Sequence, residues 1–184
     1  MKKNFKTFIR LYTSFILLSV INYSCCPEQI FQIRSFRSLT LFELNTQSSQ
    51  DSAALITDEF VLQAEFSDIS IASTYTSFNF ITSAFATSCD NDTFLNRLNE
   101  ESLIISLDKD FIYDGNTIAA NSNLVEITEI ADNIDIFYDT VSVKFLNDFL
   151  NKSQFENQEY TFTLSIETTD DLQFEKQIST TIEL

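Results

Sequence analysis

The chain has 184 residues, 44% of them hydrophobic, with 27 acidic against 11 basic side chains and a formal charge of −16. So much apolar content excludes a disordered acidic tail, and so negative a charge excludes nucleic acid as an electrostatic partner. The absence of His removes the commonest general base and zinc ligand, and the single glycine leaves no phosphate-cradling loop.

The first 24 residues read as an export signal. Lys2, Lys3, Lys6 and Arg10 form a positive head, and Leu11 to Ile21 form an apolar core of eleven residues. That core suits a signal peptide and falls well short of the ~20 residues that span a bilayer as a helix. Ser24, a small residue, then precedes the pair Cys25-Cys26. This pattern resembles the leaders of bacterial lipoproteins, and its Ser-Cys-Cys ending is similar to those of Bacteroidota-type lipoproteins. The resemblance implies that Cys25 is acylated (a palmitate-type lipid) and becomes the first residue of the mature chain. Asn22 stands where such leaders usually carry Leu, so acylation at Cys26 and an ordinary cleaved signal stay open as alternatives.

Cleavage before Cys25 takes four of the eleven basic residues and no acidic one, lowering the formal charge to about −20. Residues 25–29 are expected to be a tether, and residues 30–184 a single domain large enough to bury a core. Cys26 and Cys89 form a candidate disulfide in an oxidising compartment. On the chain-entropy model a loop of that length would stabilise the fold by about 4 kcal/mol.

Phe, Ile, Thr, Val and Tyr favour pleated surfaces, and the mature segment is rich in them. Ile30 to Arg34 alternates as a half-buried strand, and after a kink near Ser35–Ser38, Leu39, Leu41 and Phe42 to Leu44 suggest its continuation or a second short strand. After the polar loop 45–52, Phe60, Leu62, Ala64 and Phe66 mark one face of a clear strand. Thr76 to Phe85 is expected to be another. Phe94, Leu95 and Leu98 suggest a short helical turn capped by Asp92. Strands follow at 103–107 and 111–113, with Asp114-Gly115 as a hairpin turn because Gly tolerates positive φ. Leu124–Ile127 and Ile134–Tyr138 are expected as short strands. Val141, Phe145, Leu146, Phe149 and Leu150 recur at three to four residues, which predicts an accessory helix over about 142–151. Tyr160, Phe162, Leu164 and Ile166, then Phe174, Ile178 and Ile182, describe a closing β-hairpin around a polar turn.

These elements predict an all-β protein, an antiparallel β-sandwich with one short accessory helix. The terminal stretch resembles the end of Ig-like domains in uncharacterised Bacteroidota-type lipoproteins, which implies an Ig-like arrangement.

Candidate chemistry is sparse. Asp108, Asp110 and Asp114 before Gly115, and the knot Asp90-Asn91-Asp92, are oxygen-rich, yet calcium loops place their glycine at the sixth position and a ligand at the fifth. Here the fifth place is Ile112, so solvated turn residues explain the cluster better and no metal is expected. Tyr75, Tyr113 and Tyr138 could line a binding surface, although tyrosines at the rim of a core are the commoner arrangement. Asp51-Ser52-Ala53 and Asp139-Thr140-Val141 resemble short O-glycosylation sequons of Bacteroidota-type exported proteins, making Ser52 and Thr140 candidate glycosylation sites.

The expectation is therefore an envelope protein held to the membrane by its N-terminal lipid, at the outer membrane on its periplasmic or surface side. Its role would be non-catalytic binding of an envelope protein or glycan, without a cofactor. The alternatives are a glycan-acting hydrolase built on paired carboxylates and a structural envelope subunit.

Overall fold

The computed structural model describes residues 12–14, 29–44, 49–50, 55–72 and 93–183. The chain divides into two units, Met1–Phe31 with Ser70–Leu95, and Gln32–Ile69 with Asn96–Leu184. Thirteen strands are described: β1 (Gln29–Glu43), β2 (Ser49–Gln50), β3 (Leu55–Ile56), β4 (Phe60–Ala72), β5 (Thr93–Phe94), β6 (Leu98–Leu107), β7 (Phe111–Tyr113), β8 (Asn116–Ile118), β9 (Ile134–Ile136), β10 (Thr140–Phe145), β11 (Ser153–Gln154), β12 (Gln158–Thr168) and β13 (Gln173–Ile182). Residues 12–14 are helical, and two one-turn helices, α1 (Thr128–Ala131) and α2 (Asn147–Leu150), and a 3₁₀ turn over Leu124–Glu126 follow.

In the first unit, Ile30 and Phe31 pair in parallel with Thr93 and Phe94. The rings of Phe31 and Phe94 stack at 5.6 Å, and Leu95 N–H donates to the Phe31 carbonyl.

The second unit is an all-β assembly of packed sheets, as the composition and alternation predict. One sheet runs β2-β1-β4-β10-β9 and the other β3-β13-β12-β6. Inward residues of β4 (Phe60, Leu62, Ala64, Phe66) and of β10 (Val141, Val143, Phe145) are buried, and so are Tyr160, Phe162, Leu164 and Ile166 of β12. Period-two alternation puts each set on one face of its strand, and the two faces close on each other. At the centre Phe60 and Phe145 stack at 4.5 Å, and Phe162 from the opposite sheet meets both edge-on, at 5.8 and 5.6 Å. Aromatic pairs in these arrangements add about 0.5–1.5 kcal/mol each beyond the area they bury.

The closing hairpin β12–β13 matches its expected faces, with Phe162 opposite Ile178 and Tyr160 opposite Thr180. The Asp114-Gly115 turn also stands where expected, joining β7 to β8 with both residues at positive φ (48° and 75°). The small sheet β11-β7-β8 closes one end of the unit, where Phe111 stacks on Phe155 at 5.0 Å and Tyr113 on Phe149 at 5.5 Å.

Three local expectations are corrected. The accessory helix expected over about 142–151 is strand through Phe145, and only Asn147–Leu150 is helical. A spacing of four, as between Val141 and Phe145, fits both periods. Val143 decides it, because residues 141, 143 and 145 are buried in strict alternation with Thr140, Ser142 and Lys144. The strand expected over Leu124–Ile127 is instead a 3₁₀ turn, Leu124–Glu126, since the Asn123 side chain accepts from Val125 N–H and caps it. The helical turn expected around Phe94–Leu98 is absent: Thr93–Phe94 is strand, and β6 already begins at Leu98. Thr76–Phe85 lies outside the described residues.

Candidate functional site

Most residues singled out by the sequence fall in two groups. Cys25, Cys26, Cys89, Ser52, Tyr75 and the Asp90–Asp92 knot lie outside the described residues. The rest are placed. Thr140 opens β10 beside the β9–β10 turn, half-buried, and its hydroxyl donates to Asp139 Oδ1 at 3.1 Å. It therefore sits at the base of a hairpin, whereas the sequence reading put it ahead of a helix.

The acids before Gly115 serve the backbone. Asp108 Oδ1 accepts from Thr161 N–H at 2.7 Å and Asp110 Oδ1 from Ala120 N–H at 2.6 Å, while Asp114 forms the hairpin turn. Asp108 thus ties its turn to β12 and Asp110 holds the turn after β8, as short acidic side chains do in place of a missing ladder partner. Among the described residues no three His, Cys, Asp or Glu side chains gather as metal ligands would.

Tyr113 and Tyr138 both pack against the hydrophobic core as partly buried side chains. Burial, followed by the fields of Asp68 and Asp139, pushes the Tyr138 phenol up to about 12. Tyr113 belongs to a polar cluster with no sequence signature. Its hydroxyl donates to Glu129 Oε2 on α1, and Lys152, between α2 and β11, pairs with Glu129 Oε1. The Lys152 hydrogen bond, then that of Tyr113, lowers the Glu129 carboxyl from 4.5 to about 2. The Tyr113 phenol is raised well above its usual range by burial, and then by the Glu129 hydrogen bond. The Lys152 ammonium is raised by its bond to the same carboxylate. A carboxylate held ionised between a phenol and an ammonium is neither a general acid nor a free base at neutral pH.

A second unanticipated cluster surrounds Asn96, which is 1% exposed. Its Oδ1 accepts from Ile33 N–H at 2.8 Å, and its Nδ2 donates to Ile33 O and to Asp170 Oδ1, both at 3.0 Å. The amide thus stands in for a neighbouring strand along β1. Asp170 also accepts from the Thr168 hydroxyl, the larger cause of its lowered carboxyl pKa, with the Asn96 bond second. Ile33 and Asp170 lie 63 and 74 positions from Asn96, so no local motif announces the amide's role.

No helix among the described residues is long and apolar enough to cross a membrane. No protein-family model matches the chain, and no curated protein and no solved structure is significantly similar to it.

Proposed function

We propose that the chain is an exported, lipid-anchored envelope protein whose β-sandwich acts as a non-catalytic binding module. The observation that carries this reading is the leader: a four-cation head, an eleven-residue apolar core, and Ser24 before Cys25-Cys26. Cys25 is the proposed acylation site, and Cys26 would bridge to Cys89, so that adjacent sulfurs hold lipid and fold. An Ig-like kinship of the domain belongs to the same proposal and is supported by two sheets closing on a shared aromatic core.

Glycan hydrolysis by paired carboxylates stays the alternative: it needs one acid shifted upward so that it keeps its proton. Glu129 and Asp170 are both shifted downward, so neither is that acid.

Intact-mass analysis of the natively expressed protein tests the anchor. The expected result is a chain starting at Cys25 that carries two or three acyl groups. An unmodified chain with a different first residue overturns it. Alkylation with and without reductant, read in the same spectrum, tests the Cys26–Cys89 bridge.

A further inference from the structure

Two edges of the sandwich, β6 in one sheet and β9 in the other, are treated differently. Strand β6 is covered: Asn121 N–H donates to the Leu107 carbonyl at 2.7 Å, and Asn123 Oδ1 accepts from Ile105 N–H. Farther along, its pairing with β12 is interrupted by a bulge, and the Ser102 hydroxyl accepts from Glu167 N–H in place of a ladder carbonyl. Glu100 and Glu101 stand exposed on that bulge. Covered, bulged and charged edges are how sheets refuse further strands.

Strand β9, last in the order β2-β1-β4-β10-β9, has no such cover among the described residues. Lys144 N–H donates to Asn133 O and Phe137 N–H to Thr140 O, with Asp135 opposite Ser142 between them. Residues 133, 135 and 137 thus spend their backbone groups on β10, and ladder alternation turns those of Ile134 and Ile136 outward. The side chains of Ile134 and Ile136 pack against the core, which fixes the strand, whereas Phe137 is 65% exposed beside it. Asp132 and Asp139 are exposed around the edge, Asp135 is exposed but paired with Lys144 at 2.7 Å, and Asp68 and Asp139 both act on the Tyr138 phenol in the adjoining turn.

We propose that the β9 edge is a docking site for an extended, cationic polypeptide segment of a partner, which adds alongside Ile134–Ile136 as a further strand. Backbone bonds to residues 134 and 136 would supply the pairing, Phe137 an apolar contact, and Asp132 and Asp139, which carry no ion pair to Lys144, the preference for Lys or Arg. Charge selects this occupant over a second copy of the chain. Two copies each carrying −16 would bring like charges together along antiparallel edges. The proposal rests on the reading of the domain as a binding module and narrows it to one edge and one partner chemistry.

The test uses the ¹⁵N-labelled protein as expressed and a blocked heptapeptide of alternating Lys and Val. A second peptide of the same sequence carries N-methylated valines, keeping the charge but losing the ladder donors. The expected result is that the first peptide slows amide exchange at Ile134 and Ile136 by about tenfold or more, and the methylated one does not. Asp139→Lys should weaken the effect severalfold. Equal protection by both peptides would reduce the contact to charge adhesion and overturn the proposal. So would unchanged exchange at both amides under saturating peptide. Protection confined to other strands would overturn the edge while leaving a binding role intact, and none of these outcomes depends on the acyl anchor.

Discussion

The aromatic centre of the sandwich and the polar end around Tyr113, Glu129 and Lys152 are held by different physics. At the centre, Phe60, Phe145 and Phe162 meet from opposite sheets with almost no exposure, so cohesion comes from apolar area and close packing. At the end, a three-stranded sheet only two or three residues deep is tied to α1 by a partly exposed carboxylate shared between a phenol and an ammonium. The centre should therefore be insensitive to pH and salt and costly to mutate. The end should show the opposite behaviour.

Removing the Phe162 ring is the harshest way to break the centre. Phe162→Ala leaves a void between Phe60 and Phe145 that neither sheet can close, since both stacked rings are fixed by their own strands. The expected loss is about 3–5 kcal/mol, read as a lowered urea midpoint with an unchanged denaturant slope. The loss should be equal at pH 5 and pH 7. A cost below 1 kcal/mol would mean that the two sheets do not close on this ring.

A smaller effect, and one that separates packing from polar cohesion, is expected at Asn96. Asn96→Ala removes little apolar contact but strands the buried N–H and C=O of Ile33, which is fully buried. Two unsatisfied backbone groups should cost about 2–4 kcal/mol in urea unfolding. The amide exchange of Ile33 should rise with it. Asn96→Asp would keep the acceptor for Ile33 N–H, lose the donor to its carbonyl and set a second negative charge against Asp170. A variant as stable as the parent would show that β1 does not depend on this side chain.

The same contrast explains which parts of the fold were legible in the sequence. The centre was readable because alternation is a one-dimensional record of burial: Phe60 to Phe66 and Tyr160 to Ile166 each name their inward face. The Asp114-Gly115 turn was readable because positive φ has a compositional cost. In the stretch from 121 to 155 the short strand near Ile134 was read correctly, but 124–127 and about 142–151 were misread, the latter because its apolar residues sit at spacings of three and four that a strand followed by a single helical turn also satisfies. Its true organisers are Asn123, Glu129 and Lys152, polar residues whose partners lie 16 to 23 positions away or on another strand. Nothing local marks such residues, because a Glu that bridges a Tyr and a Lys looks in sequence like any solvated Glu. The edges were illegible for the same reason. Whether a strand end is capped depends on a loop such as 121–123 arriving beside it, and only the fold determines that.

The mildest prediction tests the polar end through pH. Glu129 has its carboxyl lowered from 4.5 to about 2 by the Lys152 and then the Tyr113 hydrogen bonds, so its ionised form belongs to the folded state. A depressed carboxylate contributes stability that is fully present above its unfolded value and vanishes as pH falls through its folded one. The contribution should therefore be intact above about pH 4.5 and decline between there and about pH 2. Glu129→Gln keeps the shape and discards the charge. Its urea midpoint should lie slightly below that of the parent at pH 6, and the two curves should converge as the pH approaches 2. Exposure keeps the difference small, and added salt should shrink it further. Phe162→Ala, measured beside it, should keep a nearly constant offset across the same window. Parallel curves for Glu129→Gln would mean that the carboxylate is ionised no more readily in the folded chain than in the unfolded one, and that the end is held by the stacked rings of Tyr113 and Phe149 alone.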